Sequence, residues 1–194
     1  MRINRRFGLA IFNPKRAFER KPHLPGMHGP RLRRRETEYS LGLNEKQKLC
    51  FKYGLNHRQM RNAFLKAKAT QGVTGDILLQ GLESRLDNVL YMAGFARSRP
   101  AARQLVAHGH VRINGQKVDI PGYVCQPGDQ LTVRQKSGSL QLVTRNVEGA
   151  NYRTPPAWLT VEFDSLNIVF NRPPIRSEMD QSINDQRVVE FFSR

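Results

Sequence analysis

The sequence predicts an α+β protein, in which a set of amphipathic helices leads into a small twisted antiparallel sheet. Three observations carry this expectation. Apolar residues recur at helical spacing between about residues 44 and 107 and alternate at strand spacing from Val111 onward, while residues 1 to about 40 show no sustained period and hold four prolines. That first stretch is expected to be an irregular arm.

The first helix is expected from Asn44, which with Gln47 resembles a capping box; Leu49, Cys50 and Tyr53 share a face, and Gly54 supplies a stop. Asn56 with Gln59 repeats the signal, and Met60, Ala63, Phe64 and Ala67 then fall at i, i+3, i+4 and i+7. A third helix is expected from a cap at Thr74 to a stop at Gly94. Leu78, Leu82, Leu86, Val89, Leu90 and Ala93 make its apolar stripe, and Arg85 and Asn88 point away from it. The fourth begins at Ser98 or Arg99, because Pro100 disfavours helical geometry just before it. Ala102, Leu105 and Val106 form its inner face, Arg99 and Arg103 its outer face, and Gly109 ends it.

Val111 and Ile113 then alternate with Arg112, and Asn114-Gly115 fits a two-residue type I′ hairpin turn. Further turns are marked by Pro121-Gly122 and Pro127-Gly128. Leu131 and Val133 make another strand; Leu159, Val161 and Phe163 alternate, as do Ile168 and Phe170. Ser182 with Asp185 announces a short final helix through Val188, Val189 and Phe192. Trp158 reads as core, and Phe191 and Phe192 as one core residue and one contact residue.

Charge narrows the partner. Lysine and arginine number 32 against 16 acids, giving a formal net charge of +16 and a pI near 10.7, which favours a polyanion. The first 35 residues carry eleven bases and one acid, whereas residues 135–194 carry seven of each. No apolar run approaches the roughly 20 residues that span a bilayer, so no membrane is expected. The arginine-rich first twenty residues lack serine, which argues against an organelle transit peptide. Cys50 and Cys125 read as small hydrophobes in a reducing compartment rather than as a disulfide.

The stretch Ser98–Gly115 brings Arg99, Arg103, Arg112 and, just beyond it, Lys117 to one edge. Duplex RNA is gripped by shape, phosphate and 2′-OH, which such an edge could track; Gly109 and Gly115 let backbone approach, and Gln104 and Asn114 can bond sugars or base edges. The same pattern also reads as a solvated face with an ordinary turn.

Leu82 to Val133 resembles the small α-L RNA-binding module of a ribosomal protein, of some tRNA synthetases and of some pseudouridine synthases. The flanks decide among these. Pro25–Gly29, Glu45–Phe64, Gly72–Tyr91, Trp158–Glu162 and Ile183–Ser193 are similar, in order, to the bacterial small-subunit ribosomal protein family numbered four. The resemblance implies a basic arm over 1–40, a helical domain over 41–81 completed by 179–194, and the module with its small β-sheet inserted over 82–178. It implies binding to the 5′ domain of small-subunit rRNA early in assembly, contact with neighbouring protein five, a place along the path by which mRNA enters, and a part in translational accuracy. The expected compartment is the cytoplasmic ribosome, in preference to an organelle ribosome, with no homo-oligomer.

By the same resemblance, Arg85, Arg97, Ser98, Arg99, Arg103, Gln104, Asn114 and Lys117 are the RNA-facing residues of the module, joined by Arg112 from the basic edge, and Lys46, Lys48, Tyr53, Gln59 and Arg61 those of the helical domain. In the arm, Arg2, Arg5, Arg6 and His28 are candidates for RNA, and Arg31, Arg33, Arg34 and Arg35 for mRNA. Many family members bind zinc through four N-terminal cysteines. Residues 1–49 here contain none, and His23 and His28 cannot complete a tetrahedral site, so no metal or other cofactor is expected.

An enzyme on the same module would need a further catalytic domain. The sequence has no phosphate loop, HExxH or Ser-His-Asp arrangement, and Glu162 and Asp164 lack a nearby base. A free RNA chaperone is the remaining alternative, although it would need neither the helices of 44–70 nor the C-terminal match.

Overall fold

The computed structural model describes residues 2–12, 21, 23–29, 37–149 and 154–193. Among these, eight α-helices and five strands form an α+β protein. The chain divides into two compact units, Met1–Lys68 with Gln181–Arg194, and Ala69–Asp180.

In the first unit, α1 (Arg2–Phe7) replaces the irregular backbone expected there. Tertiary packing overrides the weak local signal: Asn4 is buried and exchanges two hydrogen bonds with the Phe12 backbone, and the Phe7 ring lies 5.9 Å from that of Phe51. The next helix, α2 (Glu38–Tyr53), starts earlier than expected. Thr37 caps it, accepting from the Ser40 amide while the Ser40 hydroxyl accepts from the Thr37 amide, so Asn44 lies inside the helix. Gly54 ends α2 in the left-handed region, as expected.

Reciprocal bonds between Asn56 and Gln59 open α3 (His57–Ala69), whose Met60, Phe64 and Ala67 are buried. The last helix, α8 (Asp185–Ser193), packs on α2. Its cap is Asn184, which accepts from the Arg187 amide, rather than Ser182. Val188 is fully buried. Phe191 lies against Gly42, and Phe192 stacks on His57 and Phe64, so both C-terminal aromatics pack within this unit.

The second unit holds α4 (Thr74–Glu83), α5 (Leu86–Met92), α6 (Arg99–Ala107), α7 (Ser137–Glu148) and a sheet. The single third helix expected from the apolar stripe is broken at Ser84-Arg85. There Arg85 turns extended and bridges Val124; the Ser84 carbonyl accepts from the Cys125 amide, and Tyr123 and Pro121 carbonyls accept from Leu86 and Asp87. A segment nearly forty residues away thus satisfies the first turn of α5, which local periodicity could not reveal.

The antiparallel sheet runs β2-β1-β3-β5-β4, with β1 Val111–Ile113, β2 Gln116–Lys117, β3 Gln130–Val133, β4 Leu159–Glu162 and β5 Asn167–Phe170. Asn114 and Gly115 both take positive φ, as the type I′ turn requires. Val111, Ile113, Leu131, Val133, Ile168 and Phe170 face the core with Leu86, Leu90, Leu105 and Trp158. Phe163 lies past the end of β4 and is exposed, contrary to the expected alternation. Helix α7 was not expected, although Leu140, Val143 and Val147 fall at i, i+3 and i+7.

Candidate nucleic-acid interface

The candidate interface is built on α5, α6 and the β1–β2 hairpin. Ser98 caps α6 by accepting from the Ala101 amide, and Pro100 fits the first turn because its missing N–H needs no partner there. Ala102, Leu105 and Val106 are buried, which fixes the azimuth of Arg99, Arg103 and Gln104. Gly109, at φ +69°, releases the chain into β1, and Lys117 of the hairpin lies alongside it.

The arginines are held by a polar network beneath them. Asp87 is buried and accepts two bonds from Arg85, at 3.0 and 2.7 Å; Arg103 Nε stands 3.9 Å from the same carboxylate. Asn88, also buried, donates to the carbonyl and carboxylate of Glu83 and accepts from Arg99 Nε at 2.7 Å. The Arg99 guanidinium lies 4.5 Å from the centre of the Tyr91 ring. Asp87 and Asn88 thereby hold three cations, with Glu83 fixing Asn88, so their positions are set before any ligand arrives.

This placement divides the expected residues. Arg99 and Arg103 are partly exposed at the helix surface, and Gln104, Arg112 and Lys117 are exposed. Arg97 is exposed beside Gly149 at the end of α7. Arg85 is turned inward, with its side chain 12% exposed and its guanidinium against Asp87 and Gly122. Asn114 uses its side chain within the turn, donating to Asp129 and accepting from the Gln130 amide. Asn88, expected to point away from the core, lies inside it.

In the first unit, Gln59 and Arg61 are exposed, while Lys48 pairs with Glu45. Lys46 is buried, with Nζ 5.3 Å from the centre of the Phe191 ring, and Tyr53 is a core residue. Arg2 and His28 are exposed. Arg5 donates to the His23 and Leu24 carbonyls, and Arg6 to Gln47, so both tie the N-terminal segment to itself and to α2. Arg31, Arg33, Arg34 and Arg35 lie outside the described residues.

Among the exposed cations that the sequence reading did not single out, two lie beside the hairpin sheet. Arg134 and Lys136 follow β3, and Arg134 continues the strand alternation outward from buried Leu131 and Val133, a signal the sequence already contained. Both cysteines are free thiols. Burial foremost, with Asp129 and Asp87 nearby, pushes the Cys125 thiol up to about 12, leaving it a protonated core group at neutral pH. Among the described residues, no group of three or more His, Cys, Asp or Glu is placed to hold a metal, and no helix is long and apolar enough to cross a membrane.

Two family models match the chain in tandem. The ribosomal protein S4/S9 N-terminal domain covers residues 1–83 and the S4 domain covers 84–131, so they meet at the break between α4 and α5. Whole-length relatives agree. The small ribosomal subunit protein uS4 of Opitutus terrae is 51% identical, covering 100% of this chain and 95% of its own. The proteins of that name from Thermus thermophilus and Akkermansia muciniphila are 46% and 45% identical, covering 96% and 100% of this chain and 90% and 96% of theirs. With identity at this level over essentially the full chain, the chain belongs to the family of the small ribosomal subunit protein uS4, ribosomal proteins and not enzymes.

Proposed function

We propose that this chain is a structural component of the small ribosomal subunit that binds the 5′ domain of small-subunit rRNA directly and helps to nucleate its assembly. The observation that carries the reading is the α6–hairpin edge, where Arg99 and Arg103 stand at the surface on a buried acid and amide network and are followed by Arg112 and Lys117. Guanidinium groups fixed in advance favour one folded phosphate arrangement, while counterion release supplies affinity. The second unit presents this edge to the RNA, and the excess charge of the first 35 residues adds a second contact.

The same reading extends to contact with neighbouring protein five, to mRNA along its path into the subunit, faced by Arg31, Arg33, Arg34 and Arg35, and to translational accuracy, all in the cytoplasmic ribosome. Crosslinking in cells followed by sequencing of the attached RNA tests it. One dominant footprint in the 5′ domain of small-subunit rRNA is expected. Footprints scattered over tRNA or large-subunit rRNA would overturn the assignment and favour a free RNA-binding factor.

A further inference from the structure

We propose that Arg134 and Lys136, beside His110, extend the RNA-phosphate surface from Arg112 and Lys117 across the outer face of the sheet, and that its grip there tightens as the His110 imidazole takes up a proton. The inference rests on the RNA-binding reading above and carries its α6–hairpin edge onward from Arg112 to residues that the reading did not use.

The strand register assembles the surface. Arg112 pairs with Lys117 on one side and Thr132 on the other, and Val111 pairs with Val133. The next pair outward is His110 with Arg134, joined by the Arg134 amide donating to the His110 carbonyl at 2.8 Å. Since Val111, Ile113, Leu131 and Val133 point into the core, alternation puts Lys117, Arg112, Thr132, His110 and Arg134 on the opposite face. Lys136 follows two residues later, at the start of α7.

Most of the charge on this face has no acidic partner among the described residues. Adjacent strands lie roughly 5 Å apart, so like charges on neighbouring strands repel at close range. Among the described residues no carboxylate pairs with Arg112, Arg134 or Lys136; Lys117 alone has one, Asp119 at 3.6 Å, with both side chains more than half exposed. The contrast with α6 is sharp, because there Asp87 and Asn88 hold Arg85, Arg103 and Arg99. Folding tolerates the repulsion on the sheet face, and a polyanion would relieve it.

His110 makes the surface responsive. His110 Nδ1 lies 2.9 Å from the Ser139 hydroxyl of α7, and its ring is 6.0 Å from that of His108. The groups that face it are His108 from the turn after α6, Arg134 from just past β3, and Lys136 and Ser139 from the start of α7. All but Ser139 can carry positive charge and none is acidic. Burial first and then these cations hold its pKa below the ordinary 6.5. A bound phosphate supplies the missing negative charge and favours the imidazolium, so binding takes up protons and affinity rises as pH falls.

The test is titration of the full chain with a 5′-domain fragment of small-subunit rRNA, over a salt series at pH 7.5 and 6.0, each variant first shown to be folded by circular dichroism. The exposed pair Arg134→Gln/Lys136→Gln is expected to weaken binding about tenfold and to lower the logarithmic salt slope by about 2. Wild type is expected to tighten roughly threefold at the lower pH, with the gain lost in His110→Gln. Unchanged affinity and slope in the Arg134/Lys136 variant, with Arg103→Ala still weakened, would overturn this surface and leave the α6 edge standing. A wild-type chain that binds no RNA would sink both.

Discussion

Arg99 of α6 donates from Nε to Asn88 Oδ1 of α5 at 2.7 Å while its guanidinium lies over the Tyr91 ring. Two residues of one helix therefore orient the first cation of the next. Asn88→Leu removes this acceptor and a donor to the buried Glu83 carboxylate, and should cost about 2–3 kcal/mol. Urea denaturation checks the figure; a loss below about 1 kcal/mol would mean that the network does not anchor the helix pair.

Arg103→Ala should weaken rRNA binding and lower the logarithmic salt slope by about 1, the signature of one phosphate contact. A slope equal to wild type would remove Arg103 from the interface and leave it as a partner of Asp87 alone.

Gly109→Ala places a Cβ at a residue with φ +69° and 2.6 Å from Lys117 Cε. The lysine can swing aside, so the penalty comes mainly from the backbone, about 1–2 kcal/mol. Thermal unfolding should register the loss, and Lys117 resonances should shift more than those of Arg112.

Trp158 is the single tryptophan of the chain, 1% exposed and edge-on to Phe170 at 5.7 Å. Its emission should be blue-shifted in the native state and should report unfolding of the second unit. Trp158→Phe should be milder than Trp158→Ala, which should cost about 3–5 kcal/mol by chemical denaturation.

Two groups give this unit a pH response. His110 binds protons more weakly folded than unfolded, so its contribution to stability is full above pH 6.5 and declines as pH falls from there toward the folded value. Glu178 is held down to about 2, first by its bond from Arg172 and then by the Ile175 amide, so its contribution is present above about pH 4.5 and lost as pH falls toward 2. Melting temperatures from pH 8 to 2 should show both declines, and His110→Gln should abolish the upper one alone.

Much of the second unit was legible in the sequence because its signals are local. Ser98, Pro100 and Gly109 frame α6 by capping chemistry, and Asn114-Gly115 closes the hairpin by its tolerance of positive φ. Gly54 and the Asn56–Gln59 pair mark the end of α2 and the start of α3 for the same reason. The oversights have two origins. Helix α7 carried an apolar period that went unread among serines and glycines, and α1 carries almost none, since it forms where Asn4 and Phe7 find partners in Phe12 and Phe51.

By itself the sequence determined the charge, the helix and hairpin signals, and an ordered set of motifs that pointed to one ribosomal family. Tertiary structure alone decided which cations are spent internally and which remain outward. Arg85 and Arg112 look alike in the chain, yet one is turned onto buried Asp87 and the other stands on a sheet face with no acid partner among the described residues. That difference depends on strand register and on a break at Ser84-Arg85 imposed by residues 121–125, and contacts between distant segments leave no periodicity in the sequence that they join.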